Sequence, residues 1–149
     1  MVKHIFVAAA RGAPMKSMAA VDAVAGEGLA GDRYREQAIR RGPDYQISLI
    51  EAEAIEAFTK ELGLTLTEDM PRRNIVTLGI RLNDLVGVQF LVGDALLEGL
   101  ELCEPCSLFA KRTYPQVIAF FEGRGGLRAR ILRGGSIRIG DAVTSSSRE

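Results

Sequence analysis

The chain has 149 residues, with nineteen basic and nineteen acidic side chains, so its formal charge is zero. That balance argues against a dedicated nucleic-acid binder, which carries a basic excess, and a hydrophobic share of 47% argues against disorder. No run of about eighteen apolar residues is present, so no transmembrane helix is expected, and the length suits a single domain over 1–149 whose core needs no cysteine staples.

The opening Met1-Val2-Lys3-His4-Ile5-Phe6-Val7 reads as a strand rather than a secretory leader, which suits a cytoplasmic protein. Strands are expected at 5–7 and 21–24, on either side of a loop at 11–17. Gly26, Gly28 and Gly31 fall within six positions and predict backbone at positive φ or pressed against a neighbour. A strand at 46–50 then runs into a helix that places Ile55, Phe58 and Leu62 on one face, with Gly63 as its stop. Residues 73–78 are again strand-like. Gly93-Asp94 marks a two-residue hairpin between strands at 89–92 and 95–98. Pro115 opens a short helix through Phe121. Strict alternation over 127–131 puts Leu127, Ala129 and Ile131 on one face and Arg128 and Arg130 on the other. The turn Gly134-Gly135, a strand at 137–139 and the segment 140–143 close the chain, and 143–149 is expected to fray. The sum is a β-rich α+β domain, a closed or partly closed barrel with two or three short helices.

Chemistry centres on Leu102-Cys103-Glu104-Pro105-Cys106-Ser107, because sulfur is the one strong soft nucleophile or soft-metal ligand available. The single histidine, His4, lies in an apolar stretch and is a poor catalytic partner. Cys-X-X-Cys admits a zinc half-site, a dithiol redox couple, one reactive thiolate with a bystander, or two buried small hydrophobes. In the thiolate reading Lys111 and Arg112 lower the thiol pKa if they fold towards Cys106. A second constellation gathers cations near glycines: Lys16-Ser17, Arg33, Arg72-Arg73-Asn74, and Arg128 with Arg130. Arginine forks suit phosphate and other oxyanions, and the 26–31 loop offers backbone N–H groups to the same ligand. Asp32, Asp94 and Asp141 each follow a glycine and read as turn residues, with Asp32 also placed to orient Arg33.

Taken in order, Gly28-Leu29-Ala30-Gly31-Asp32-Arg33-Tyr34, Arg72-Arg73-Asn74-Ile75-Val76-Thr77, Val92-Gly93-Asp94-Ala95, Glu104-Pro105-Cys106, and Gly126 to Leu132 with Gly140-Asp141 resemble the MOSC domain. This is the C-terminal domain of molybdenum cofactor sulfurases, found also as small standalone bacterial proteins. The resemblance implies a barrel-based fold and a molybdenum cofactor, with Cys106 as molybdenum ligand or persulfide-bearing sulfur carrier. By the same resemblance Lys16, Ser17, Arg33, Arg72, Arg73 and Asn74 hold the pterin phosphate and its polar neighbours. Any reaction is then reduction of an N–O bond in N-hydroxylated compounds, with a sulfur donor protein or a redox partner. No pyridoxal phosphate site is expected in this chain, so it does not itself mobilise sulfur from cysteine. A non-catalytic sulfur or cofactor shuttle, and a thiol-redox or zinc module, stand as alternatives.

Overall fold

The computed structural model describes residues 1–33 and 46–145. The elements are β1 (Val2–Val7), β2 (Lys16–Ser17), β3 (Ala20–Val24), β4 (Gly28–Leu29), β5 (Ile47–Glu51), α1 (Ala52–Leu62) and β6 (Ile75–Thr77). After a 3-10 turn at Leu82–Leu85 come β7 (Gln89–Val92), β8 (Ala95–Leu102), α2 (Ser107–Arg112), α3 (Val117–Phe120), β9 (Leu127–Arg133), β10 (Gly135–Arg138) and β11 (Val143–Ser145). Among the described residues no helix is long and apolar enough to cross a membrane.

Eight strands form one sheet in the order β11-β7-β8-β9-β5-β6-β1-β2, and β10-β3-β4 form a second. The β5–α1–β6 crossover supplies the parallel pair, and the other ladders are antiparallel. The expected closed barrel is not found: no ladder joins the edge strands β2 and β11 among the described residues. A turn takes the place of that ladder. Asp141 Oδ2 accepts the N–H of Arg138 at 2.7 Å, and Gly140 has φ 94°. Among the described residues two backbone bonds join that turn to β1, from Val2 N to Asp141 O and from Gly140 N to Val2 O, both 2.8 Å. The small sheet covers the remaining gap, so Val21, Ala23, Leu29 and Ile137 share a core with Ile5, Leu49, Ile75, Leu97, Leu127 and Ala129.

The other face of the large sheet buries Phe6, Ile50 and Val76 beneath the helices. Phe58 of α1 lies at the centre of this layer, with ring centroids 5.2 Å from Phe120, 5.7 Å from Phe121 and 5.9 Å from Tyr114. Ile55 is buried as its spacing predicts, whereas Leu62 is 42% exposed because the last turn of α1 outruns the core. Gly63, at φ 69°, ends the helix with its N–H on Thr59 O. Helix α2 was not expected, since only Phe109 of its six residues is buried and no apolar period announces it. Residues Val143–Ser145, expected to fray, instead pair with β7. The rest of that tail, 146–149, lies outside the described residues.

Asn74 is fully buried where three strands meet. Its Oδ1 accepts from Ser48 N at 3.0 Å and Ser48 Oγ at 3.3 Å, and its Nδ2 donates to Phe6 O at 3.1 Å. The carboxamide therefore links β1, β5 and the start of β6. Asn74→Ala leaves those buried groups without partners and is expected to cost roughly 2–4 kcal/mol in urea unfolding. A loss below about 1 kcal/mol would contradict this role.

Candidate functional site

Three segments meet at one edge of the large sheet: the loop after β1, the stretch leading into β6, and the end of α2. The first two are tied by backbone acceptors. Ala8 N donates to Asp32 Oδ1 at 3.0 Å, and Arg33 N donates to Ala8 O at 2.7 Å. The Arg33 side chain lies 3.4 Å from the same Asp32 oxygen and donates to Arg72 O at 3.3 Å. Asp32 thus orients Arg33, as the sequence suggested. Arg72 in turn donates through Nη2 to Ala13 O at 2.7 Å. Its φ of 61° is the one positive value at a non-glycine position among the described residues. Left-handed backbone of that kind costs a branched or long L-residue about 1–2 kcal/mol, and here it turns the carbonyl of Arg72 to Arg33 and its guanidinium to the loop.

A third tie anchors the stretch before β6 to the sheet. Glu68 lies 2.6 Å from Lys3 Nζ and 2.7 Å from His4 Nε2. The hydrogen bond to Glu68 raises the Lys3 pKa above its ordinary value, against the opposing effect of burial. His4 is therefore a structural partner, stacked on Phe6 with centroids 5.7 Å apart.

Between these segments lies an open depression of about 250 Å³, lined by Pro14, Met15, Asp69, Met70, Arg72, Arg112 and Thr113. Arg112 closes its far side: a Cβ on Gly12 would stand 3.9 Å from Arg112 Nη2.

The two cysteines occupy different environments. Cys103 is 1% exposed, its N–H bonded to Gly126 O at 2.7 Å, while its carbonyl packs where a Cβ on Gly125 would fall. Arg73 braces this corner, donating from Nε to Gly125 O at 3.2 Å and from Nη1 to Pro71 O at 3.1 Å. Cys106 is exposed and unpaired, at the head of α2 in extended backbone (φ −121°, ψ 168°), and its thiol makes no capping bond. Six helical residues separate it from the end of α2, about 9 Å along the axis. Arg112, at the end of that helix, lines the depression.

The predicted set divides accordingly. Arg33, Arg72 and the end of α2 converge, and Arg73 sits at the cysteine corner. Asn74 is enclosed in the core. Ser17 pairs with Phe6 and Lys16 with Val7, so strand alternation puts Ser17 on the helix-covered face and Lys16 on the opposite one. Gly26, Gly28 and Gly31 do take positive φ. Yet the N–H groups of Gly26, Glu27, Ala30 and Asp32 are all engaged by backbone carbonyls, so the loop does not offer them to an anion. Arg128 and Arg130 reach Glu101 and Glu98. Asp69 and Arg112 were missed as pocket residues; the cation after the cysteine was visible, its direction was not.

Solved structures share this fold. YuaD from Bacillus subtilis aligns with a TM-score of 0.80 at 17% identity, over 99% of this chain and 96% of its own. YiiM from Geobacillus stearothermophilus aligns at 0.79 and 19%, over 99% and 75%, and YiiM from Escherichia coli at 0.69 and 16%, over 100% and 72%. No curated protein matches the chain. The profile of the MOSC domain matches residues 36–144, and the chain belongs to that family.

Proposed function

We propose that this protein binds a molybdenum cofactor through Cys106, with the arginines of the depression holding the phosphate of its pterin. The observation that carries the reading is the contrast between the two cysteines: one thiol is buried in the strand corner, and the other stands exposed with no bond to its sulfur. The donor set fits the group. A soft thiolate suits molybdenum, and planar guanidinium forks suit a phosphate. Arg72 and Arg112 face the depression directly, Arg33 fixes the Arg72 backbone, and Arg73 braces the corner from which Cys106 projects. Lys16 and Ser17 lie exposed on the edge strand and line no part of the depression. Asn74 serves by holding the strand from which Arg72 and Arg73 emerge.

Bound molybdenum supplies the two-electron couple needed to reduce an N–O bond, with electrons from a separate redox partner. The chain itself contributes a thiolate and cationic side chains that bind and orient. The exposure of Cys106 equally suits a sulfur carrier, in which a donor protein loads a persulfide onto the same thiol. A zinc site needs further protein ligands, and among the described residues no group of three or more His, Cys, Asp or Glu side chains could hold a metal.

Two predictions separate these readings. After incubation with molybdenum cofactor and removal of the unbound fraction, the wild type should retain molybdenum and pterin near one per chain. Cys106→Ala should lose most of it with unchanged stability, whereas Cys103→Ala should keep the cofactor and lose about 1–2 kcal/mol of stability from the small cavity. Equal loss of cofactor from both variants would contradict the assignment, and no retention by wild type would leave the carrier reading. Arg72→Gly removes a guanidinium and relieves left-handed strain together, so stability should stay within about 1 kcal/mol of wild type. Its cofactor retention should fall roughly tenfold. Retention equal to wild type would rule Arg72 out of the anion site.

A further inference from the structure

The resemblance expects Arg73 to grip the phosphate beside Arg72, yet its guanidinium is given to the protein. Arg73 does not line the depression. Its Nε donates to Gly125 O at 3.2 Å and its Nη1 to Pro71 O at 3.1 Å, so one planar fork joins the stretch before β6 to the turn before β9. Both sides of that joint are themselves held. On the first, Pro71 is buried, Arg72 bonds the loop after β1 through Ala13 O, and Asn74 is enclosed in the core. On the second, Gly126 O accepts the N–H of Cys103 at 2.7 Å, and the Cys103 carbonyl packs where a Cβ on Gly125 would fall. The turn is fastened again at Gly123. Its carbonyl accepts from Asn83 Nδ2 at 2.7 Å, and its N–H donates to Glu104 Oε1 at 3.4 Å. Glu104 precedes Cys106 by two residues, with Pro105 between them.

A ligand held at two points gains from the second only when the span between them is fixed and matched. The two points here are the depression, tied to Arg73 through its neighbour Arg72, and the Cys106 thiol, tied to it through the turn. We propose that Arg73 is a positioning residue, which sets the separation between the depression and the Cys106 sulfur and does not itself bind the anion. A guanidinium suits the task because its rigid fork engages two carbonyls at once, whereas an ammonium is a point charge on a flexible stem. This role rests on the reading of the depression and Cys106 as the two ends of one cofactor site.

The test uses N-bromoacetylethanolamine phosphate, which carries a phosphate for the depression and a carbon that a thiolate attacks. Attack forms a C–S bond and expels bromide; bromoacetamide reacts in the same way without a phosphate. Mass spectrometry locates the label on Cys106, and the affinity for inorganic phosphate is measured separately by calorimetric titration. On wild type the phosphate-bearing reagent should react roughly tenfold faster than bromoacetamide, and excess inorganic phosphate should erase that advantage. Arg73→Met should lose the advantage yet keep the bromoacetamide rate and the phosphate affinity. Arg73→Lys keeps the charge without the fork and should lose the advantage too, so the outcome does not hang on the folding of one variant. Arg112→Met should lose both the phosphate affinity and the advantage. The positioning role is overturned if Arg73→Met keeps the advantage, if Arg73→Lys restores it in full, or if phosphate affinity falls with Arg73. If wild type binds phosphate but shows no advantage, the coupling falls and the anion site stands. If wild type binds no phosphate, both readings fall.

Discussion

One buried carboxamide sets the geometry on which the rest of the molecule depends. Asn74 bonds the backbones of Ser48 and Phe6 from the first residue before β6, so β1, β5 and β6 are registered by a single side chain at 0% exposure. Polar groups in such a place hold position because every alternative leaves donors and acceptors unpaired. The consequence reaches the surface at once, because Arg72 and Arg73 are its neighbours in the chain. Fixing Asn74 fixes where both arginines leave the core, one towards the β1–β2 loop and the other towards the cysteine corner.

Around that anchor the molecule divides rigid from accessible. Glycines at 125 and 126 let the β8 end and the β5 backbone approach more closely than any side chain permits, and this packing buries Cys103. Three residues later the chain has left the sheet, and Cys106 stands in extended backbone before a short helix. The pair is therefore no symmetric dithiol. Cys103 belongs to the architecture, and Cys106 is the sulfur that solvent, a ligand or another protein can meet.

Much of this was legible in the sequence where one local rule decides the outcome. The Gly93-Asp94 hairpin, the alternation along β9, the glycine stop of α1 and the positive φ of Gly26 to Gly31 each follow from short-range chemistry. The ordered motifs also carried the family. What stayed hidden depends on long-range register. Nothing local says that Asn74 bonds Ser48 and Phe6, that Lys16 and Ser17 flank a sheet edge on opposite faces, or that a turn at 138–141 leaves the sheet open. The Gly26 N–H looked available because its partner, Ile131 O, lies far along the chain. The depression was illegible for the same reason, since Met15, Asp69 and Arg112 come from three distant segments.

The central claim is that the sulfur of Cys106 meets molybdenum. X-ray absorption at the molybdenum edge, on cofactor-loaded wild type and Cys106→Ser, tests it most directly. The account predicts that the serine variant shows one sulfur neighbour fewer at the metal, with the remaining shell unchanged. Identical sulfur counts in the two proteins would contradict it and leave Cys106 without a place at the metal.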